Sequence, residues 1–527
     1  MSSLGHMRRL ARAGRTLARH NALIPADLLA EAPPHVRAGL KVAAFGSGGA
    51  DDGLRPGERL VNALEELGPS FIKLGQFLAT RPDVIGPDVA QDLTRLQDRM
   101  APFDTAEAIA AVEEALGAPL DTFYADFGPA IAAASVAQVH KATLKMPEGT
   151  AGKEVAVKVL RPAIEKTFRE ELASFQWAAE RAEAWMPSIR RMRPTRMVET
   201  LKRSVDLELD LRMEAAAASE FADRVAREDF VRVPEIDWER TAGRVMTSEW
   251  IDGVPLHDRD AVLAAGHDPR QLAARIAELF LITALRDGFF HADMHQGNVF
   301  VDAQGRLVLV DFGIMGRLNR DNRRYLAEIL YGVVERDYMR VAELHFEAGL
   351  VPPHHSVEDF ALALRSMGEP IFGKTASSMP MSRVLKRLFE VTEQFDMAAQ
   401  PELMFLQKTM VVVEGVSREL DPDFNLWEVG RPILRDFVEA MIGPEARIRD
   451  AAEGFAALGR LLPELPRLVE RLEAQTAMPG ALAPRAAPGI IVADPSEWRA
   501  PARRAGLVLP ILAGAGIAAL LYFLLGA

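Results

Sequence analysis

The stretch Phe289–Gly313 reads FFHADMHQGNVFVDAQGRLVLVDFG, and it decides the fold of the chain. Asp293 is followed five positions later by Asn298, and Asp311 comes thirteen positions after Asn298. Carboxylate and amide oxygens are the hard ligands that Mg²⁺ prefers, so Asn298 and Asp311 are candidate metal ligands. Asp293 is the candidate that orients an attacking hydroxyl or water. This spacing predicts metal-assisted phosphoryl transfer.

The residues between these polar positions predict a β-hairpin. Val299–Val301 and Leu307–Val310 are short apolar runs, and Gly305 lies in the turn between them. Such a hairpin fixes the separation of the two candidate ligands. The whole stretch matches the protein-kinase pattern H-x-D-x-x-x-x-N followed by D-F-G, so we expect a kinase-like fold rather than a chance loop beside a core hairpin.

A rival chemistry uses the same residues. His291, Asp293 and His295 form an H-x-D-x-H pattern, which is typical of a metal-dependent hydrolase. Such a site needs further histidine or carboxylate ligands, and the chain has only 11 histidines. The other close pair, His354 and His355, has no acid at ligand spacing in the sequence. We therefore favour phosphoryl transfer.

The composition excludes several classes of function. A chain of 527 residues is long enough for two or three domains, and a hydrophobic content of 49% supports a sizeable core. The formal net charge of −12 argues against general nucleic-acid binding. Because the chain has no cysteine, disulfides, thiolate catalysis and cysteine-ligated metals are excluded.

The N-terminal segment, residues 1–50, is basic and amphipathic. Arginines recur at helical spacing along one face, and apolar residues occupy the other. The two faces consist of Arg8, Arg12, Arg15 and Arg19, and of Met7, Leu10 and Leu17. The pattern indicates a helix lying on an anionic membrane surface, an organellar transit peptide or a solvated basic tail. The sequence leaves these three interpretations open.

A nucleotide-binding lobe is predicted in the first half of the chain. Val136–Thr143 and Glu154–Leu160 are predicted strands, and Val155–Lys158 matches the V-A-I-K pattern, whose lysine pairs with nucleotide phosphates and with a helix glutamate. Where a kinase has a glycine-rich loop, this chain has Ala132, Ala133, Ala134, Ser135 and Val136. Alanine permits fewer backbone conformations than glycine, so we expect a stiffer loop that grips phosphate differently.

Three acids on the predicted helix 193–227 are candidate partners of Lys158. They are Glu208, Asp210 and Glu214, and the sequence does not decide among them. Downstream, Val231–Ile236 and Arg244–Trp250 are expected to complete the sheet, and Ile251–Pro255 to form the hinge between two lobes.

Lys73 and Gln76 lie three positions apart, on one face of a predicted helix. Taken alone, this spacing is typical of an exposed polar pair.

The C-terminal half is predicted to be helical. Asp268–Gly288 leads into the catalytic loop, and helices resume at Arg320, with no A-P-E activation segment within reach of Gly313. Ala505–Ala527 has 23 residues without a charge, enough to span a bilayer. Arginines precede this segment, which predicts a cytoplasmic body. The alternative for Ala505–Ala527 is a buried core or helix-hairpin segment.

Taken in order along the chain, these motifs resemble the UbiB family of atypical kinase-like proteins. The resemblance covers about Arg59 to Glu343 and rests on Lys73-Leu-Gly-Gln76, Ala132–Ala137, Val155–Lys158, Glu208-Leu-Asp210, His291–Asn298 and Asp311-Phe-Gly313. It implies that Lys73 and Gln76 lie on an N-terminal extension folded over the active site, near Glu208 and Asp210. It also implies binding of ATP with Mg²⁺, ATPase or unorthodox kinase activity, and a role in ubiquinone biosynthesis at a membrane.

We therefore expect an α+β, bilobal protein-kinase-like fold with a helical N-terminal extension, a predominantly helical C-lobe and a C-terminal transmembrane helix. The predicted segments are a basic segment (1–50), the extension (51–105), the N-lobe (106–255), the C-lobe (256–476), a linker (477–504) and the transmembrane helix (505–527). The candidate catalytic residues are Lys73, Gln76, Lys158 and Asp293. The candidate nucleotide-binding residues are Ala132, Ala133, Ala134, Ser135, Val136, Lys158, Glu208, Asp210 and Glu214.

The favoured function is a membrane-anchored ATPase that makes lipid precursors accessible to ubiquinone-synthesis enzymes. Its expected place is a bacterial rather than an organellar inner membrane, with membrane lipids, quinone precursors and other enzymes of the pathway as partners. A small-molecule phosphotransferase and a silent, nucleotide-gated scaffold are the alternatives. The intact Asp293, Asn298 and Asp311 argue against the scaffold, and the missing activation segment argues against protein substrates.

Overall fold

The structure is a computed structural model that describes residues 3–22, 53–79, 81, 85–93, 95–96, 100–147, 152–185, 193–372, 387, 390–392, 394–397 and 401–442. The helices are α1 (Ser3–Arg19), α2 (Pro56–Leu67), α3 (Pro69–Ala79), α4 (Pro87–Leu93), α5 (Thr105–Leu116), α6 (Ile164–Trp185), α7 (Pro194–Glu208), α8 (Leu211–Val225), α9 (Arg259–Ala264), α10 (Pro269–Ile282), α11 (Arg320–Val334), α12 (Tyr338–Glu347), α13 (Val357–Phe372), α14 (Pro401–Leu420) and α15 (Leu426–Ile442). The strands are β1 (Tyr124–Ala133), β2 (Ala137–Leu144), β3 (Glu154–Leu160), β4 (Val231–Arg232), β5 (Ile236–Ala242), β6 (Val245–Glu249), β7 (Gly253–Pro255), β8 (Phe289–His291), β9 (Val299–Asp302), β10 (Leu307–Leu309) and β11 (Met315–Arg317).

A five-stranded sheet forms the core of the first lobe. Its order is β1-β2-β3-β6-β5, with antiparallel neighbours throughout. β3 reads EVAVKVL, and this alternation buries Val155, Val157 and Val159 in an apolar cluster that includes residues of α5. Successive side chains of a strand point to opposite faces, so Lys158 lies on the face turned away from this cluster.

The sequence assigned one strand to the wrong sheet. Val231 and Arg232 form β4, which runs parallel to β10 in a four-stranded sheet of the second lobe, with order β4-β10-β9-β7. The physical reason is that Phe230 and Val231 bury their side chains in the core of that lobe. β5 is the edge strand of the first sheet instead. The end of the predicted hinge, Gly253–Pro255, is also a strand, β7, paired with β9.

The hairpin predicted between the candidate metal ligands is confirmed. Leu307 pairs with Val301 and Leu309 with Val299, so β9 and β10 run antiparallel. Gly305 in the turn has φ +76°, a left-handed conformation that glycine adopts without steric cost. The backbone N–H of Val310 donates to the carbonyl of Asn298 at 2.9 Å, which extends the ladder to the positions that bear the ligands.

The basic N-terminal helix packs on protein with its apolar face. Met7, Leu10 and Leu17 of α1 are buried, and His6 Nδ1 lies 3.0 Å from Ser174 Oγ on α6. The opposite face is exposed and carries Arg8, Arg12, Arg15 and Arg19. The predicted amphipathic helix is therefore present. The apolar face covers α6, so only its basic face is turned outward.

In the second lobe, the catalytic loop follows α10 along the chain. The Asp268 side chain caps α10 by accepting from the backbone N–H of Arg270, and a π-helical turn, Thr283–Asp287, follows the helix. Gly288 then reverses the chain into β8 with φ +63°. A side chain at this position would overlap the carbonyl oxygen of Leu318, so glycine is required.

No helix among the described residues is both long and apolar enough to cross a membrane. The linker 477–504 and the transmembrane helix predicted at 505–527 lie outside the described residues and stay predictions, as does the division of the chain into segments.

Candidate active site

One ammonium group is shared by two carboxylates at the centre of the site. Nζ of Lys158, on β3, lies 2.6 Å from Oε1 of Glu214 on α8 and 3.2 Å from Oδ1 of Asp311. Among the three candidate acids, Glu214 is therefore the partner of Lys158. The Asp210 side chain caps α8 by accepting from Arg212 N, which starts the helix one turn before Glu214.

The three groups of this cluster differ in the direction and cause of their pKa shifts. Burial lowers the pKa of Lys158, but Asp311 and Glu214 more than offset it, so the net direction is upward. Burial raises the pKa of Asp311, and Lys158 reverses this, so the net pKa lies below its usual range. For Glu214, burial together with the charge of Asp311 outweighs the opposing effect of Lys158 and raises the pKa to about 7. Above that pH two negative charges face one positive charge.

The backbone of Asp311 is strained. Its φ of +62° lies in the left-handed region, where a residue other than glycine costs about 1–3 kcal/mol, although aspartate is tolerated better than most. The carboxylate accepts from the backbone N–H of Gly313 at 3.3 Å and is still 46% exposed. This conformation presents one carboxylate both to Lys158 and to the open side of the cluster.

Hydrogen bonds within the catalytic loop hold the backbone of Asp293. Its N–H donates to Nδ1 of His291 at 3.1 Å, and its carbonyl accepts from Nδ2 of Asn298 at 3.2 Å. Burial lowers the pKa of His291, which favours the neutral ring that accepts this bond. The ring also packs edge-on against Phe312, with centroids 5.3 Å apart, so the loop and the D-F-G triplet form one packed unit.

The residues fit the Mg²⁺ site that the sequence predicted. Because Nδ2 of Asn298 donates to a carbonyl, the orientation of the amide is fixed, and nothing in the described part of the chain donates a hydrogen bond to its Oδ1. Asp311 adds a carboxylate with a lowered pKa and an exposed side. Amide and carboxylate oxygens are the donors that Mg²⁺ prefers.

The rival H-x-D-x-H metal cluster does not assemble. His291 is fully buried, with its Nδ1 bound to the backbone of the same loop. Within the described residues, the group of three potential ligands close enough to hold a metal is His354, His355 and Asp396. The expectation that this histidine pair lacks an acid partner was wrong, because Asp396 returns to it from 41 residues further along the chain, with Oδ2 3.3 Å from Nε2 of His355.

The alanine-rich loop is a tight turn between β1 and β2. Ala132 and Ala133 end β1, and the backbone N–H of Ala134 donates to the carbonyl of Ala137 at 2.8 Å. Nε of Arg161 donates to the carbonyl of Ala134 at 2.9 Å. None of the residues from Ala132 to Ser135 and Val136 is among the described residues with positive φ. The loop thus has backbone conformations that alanine adopts easily, and its stiffness stays a prediction.

Lys73 is not half of an exposed pair. It is buried, and its Nζ lies 2.7 Å from Oε2 of Glu208 at the end of α7. This contact agrees with the family resemblance. Gly75 between the motif residues lets α3 approach its neighbours, because a side chain there would overlap those of Leu64 and Leu96.

The other two residues of this region bind elsewhere. Gln76 Nε2 lies 3.5 Å from the carbonyl of Leu96. Both carboxylate oxygens of Asp210 accept from the guanidinium of Arg212, at 2.8 and 2.7 Å. Asp210 therefore caps the start of α8 and pairs with Arg212 there, while Glu208 contacts Lys73. The catalytic and nucleotide-binding roles given to all these residues stay predictions.

Sequence reasoning missed Lys408. Its Nζ, on α14, lies 3.1 Å from Oδ1 of Asp293. The lysine follows Asp293 by 115 residues and lies in a helix rich in apolar residues, so no local pattern marks it. The chain fold alone brings it to the loop.

Comparisons with known proteins agree with this geometry. A family model described as the ABC1 atypical kinase-like domain matches residues 95–345, and one described as the UbiB helical domain matches residues 364–425. The first match confirms a kinase-like, mixed α and β fold.

Similar proteins cover most of the chain. One, named probable protein kinase UbiB, from Marinobacter nauticus, is 39% identical over 470 residues, which are 88% of this chain and 85% of that protein. Another of the same name, from Aeromonas salmonicida, is 41% identical over 428 residues, 80% of this chain and 78% of that protein. A solved structure, the complex of Rv3197 with erythromycin from Mycobacterium tuberculosis, is 24% identical with a TM-score of 0.48, and covers 72% of this chain and 96% of that one.

Proposed function

The chain belongs to the UbiB family of ABC1 atypical kinase-like proteins, and on that premise we propose that it binds Mg²⁺-ATP at the Lys158 cluster and turns it over at a membrane in support of ubiquinone biosynthesis. The observation that carries this proposal is the shared ammonium: one lysine between two carboxylates, beside an asparagine whose amide oxygen is available.

Each residue has a role that follows from its chemistry. Asp311 and Asn298 would hold Mg²⁺, which supplies positive charge to the phosphate oxygens. Lys158 stays charged because of its two carboxylate neighbours, so it is suited to bind phosphate. Asp293 lies in the same packed loop as Asn298 and orients the hydroxyl or water that attacks.

A small acceptor is favoured over a protein substrate. After Gly313 the chain forms the short strand β11, Met315–Arg317, and enters α11 at Arg320. This leaves no length for a peptide-docking segment. The proposal is therefore an ATPase, or, as a second candidate, a phosphotransferase acting on a small hydroxyl compound such as a phenolic quinone precursor.

The membrane part of the proposal comes from the sequence. The uncharged segment Ala505–Ala527 would anchor the protein in a bacterial inner membrane with its body in the cytoplasm. The exposed arginines of α1 would add attraction to anionic lipid, about 1 kcal/mol for each basic residue near the surface. Membrane lipids and quinone precursors are the proposed partners, together with other enzymes of the pathway.

The test is ATP turnover by the full chain in liposomes containing anionic lipid. Phosphate release is measured with and without a phenolic quinone precursor, and the lipid and soluble fractions are searched for a phosphorylated product. We expect slow, Mg²⁺-dependent release that the precursor stimulates. A phosphorylated precursor would favour the phosphotransferase.

Asp293→Asn is the matched control. It should leave nucleotide-dependent thermal stabilisation intact and lower turnover by about 10²- to 10⁴-fold, the range for loss of a positioned acid or base. Turnover that does not depend on Mg²⁺, or that survives this substitution, would contradict the proposal.

A further inference from the structure

The side chain of Asp293 is held by a residue of the helical domain. Lys408 lies within the residues matched by the UbiB helical domain, 364–425, whereas Asp293 lies within the kinase-like match, 95–345. Resting on the proposed function, we propose that Lys408 is a positioning residue for phosphoryl transfer: its ammonium fixes the Asp293 carboxylate in the orientation that receives the acceptor hydroxyl. The helical domain then completes the active site.

The Lys408 ammonium makes the shorter of two contacts to the Asp293 carboxylate. The hydrogen bond that Asp293 N–H donates to His291 and the one that its carbonyl accepts from Asn298 hold only the backbone of Asp293. Rotation of an aspartate carboxylate about its last bond is soft, because such torsions have broad energy wells. Nζ of Lys408 engages Oδ1 at 3.1 Å, while Oδ2 lies 3.6 Å from Nε2 of the exposed His295. A fixed Oδ1 leaves Oδ2 as the oxygen available to a hydroxyl.

Lys408 is itself fixed by the helix that carries it. The hydroxyl of Thr409, the next residue, is buried and donates to the carbonyl of Ala292 at 3.1 Å. Ala292 immediately precedes Asp293. Two consecutive residues of α14 thus contact two consecutive residues of the loop. Further along α14, the Ser417 hydroxyl donates to the carbonyl of Ala273 on α10 at 3.1 Å.

The other lysines near the site form ion pairs with different acids. Lys158 lies between Glu214 and Asp311, and Lys73 pairs with Glu208. Lys408 is 36% exposed, so its ammonium keeps access to the open side of the site.

The test compares Lys408→Met, Lys408→Arg and wild type as full chains in the liposome assay. We expect Lys408→Met to lower kcat on the order of 10²-fold, as for loss of one preorganised donor, with KM for ATP and nucleotide-dependent thermal stabilisation unchanged. Lys408→Arg should recover part of the loss because it keeps the charge. In the Asp293→Asn background, Lys408→Met should have no further effect, since it acts through Asp293.

Arg418→Met is the control on the same helix. Arg418 pairs with Glu414 one turn away, so its replacement removes a positive charge from α14 without touching Asp293. Because Glu414 is buried, the folded fraction is measured as well, and kcat per folded molecule should equal that of wild type.

Three results would overturn this inference while leaving the proposed function in place: wild-type turnover by Lys408→Met, a loss of turnover that Arg418→Met shares, or a loss of equal size in the Asp293→Asn background. A fall in melting temperature or in nucleotide binding that accounts for the loss would assign Lys408 a structural role and overturn it as well. Absence of Mg²⁺-dependent turnover in wild type would instead remove the proposed function, and this inference with it.

Discussion

Two lysines bind glutamates on either side of one bend, and they differ in how exposed the acids around them are. Lys73 pairs with Glu208, at the end of α7. Lys158 is shared between Glu214, near the start of α8, and Asp311. The two glutamates are six residues apart, so the bend between α7 and α8 sends them to different partners.

The difference in exposure separates a structural contact from a binding site. Both side chains of the Lys73 pair are largely removed from water, at 9% and 14% exposure. The Lys158 cluster has one carboxylate in excess and an exposed side at Asp311. A buried pair fastens α3 to α7, whereas an exposed carboxylate in excess favours binding of a further cation.

The largest expected effect comes from removing the excess carboxylate. Asp311→Asn keeps the shape of the side chain and its tolerance for left-handed backbone, but takes away the charged metal ligand. We expect Mg²⁺-dependent nucleotide binding to be abolished, measured as loss of the thermal stabilisation that Mg²⁺-ATP gives to wild type. Unchanged stabilisation would show that Asp311 is not the metal ligand. The Lys158 cluster would then be a structural contact, like the Lys73 pair.

A loss of stability is expected from breaking the buried pair. Lys73→Ala removes the ammonium that lies against the Glu208 carboxylate, which should lower the free energy of unfolding by about 3 kcal/mol, as is typical when one half of a buried ion pair is removed. Denaturant unfolding measures the change. The exposed pair of Lys153 and Glu235 provides the control, because Lys153→Ala should cost less than about 1 kcal/mol. Equal losses in the two variants would mean that burial of the Lys73 pair is energetically unimportant.

A smaller, pH-dependent effect is expected at Glu214. Its pKa is raised to about 7 in the folded protein, from an ordinary value of 4.5. Between these values the folded state binds more protons than the unfolded state, so the stability contributed by Glu214 falls as pH rises through this window. Relative to Glu214→Gln, wild type should lose on the order of 2–3 kcal/mol between pH 4.5 and 7.

Unfolding curves of both proteins at several pH values measure this difference. Asp311 and Lys158 shift in the directions that move their titration out of the window, so they do not contribute to it. A difference that is constant with pH would mean that Glu214 stays ionised, and that the cluster keeps its excess charge even in acid.

Local patterns predicted what depends on neighbours in sequence. The run Val155–Lys158 predicted strand β3 with its phosphate-binding lysine, and the hairpin between Asn298 and Asp311 followed from two apolar runs and Gly305. In each case the information lies within a few residues of the feature.

The misses concern partners distant in the chain. Nothing near Val231 indicates that it buries in the second lobe, and nothing near Lys408 indicates that it meets Asp293. The pairing of Lys158 with Glu214 rather than Glu208 or Asp210 was also open, because it depends on where α7 ends and on the cap by which Asp210 starts α8. These contacts are determined by tertiary packing, and the spacing of residues in the sequence does not predict them.

The two hydroxyl bonds of α14 have a consequence for hydrogen exchange. Thr409 and Ser417 tie this helix to the catalytic loop at Ala292 and to α10 at Ala273. Opening the loop therefore requires breaking contacts of the helical domain, so the two regions belong to one cooperative unfolding unit. Their protected amides are then expected to exchange with one shared opening free energy. A ligand that protects the catalytic loop will, for the same reason, slow exchange in α14, which is matched as part of a separate domain.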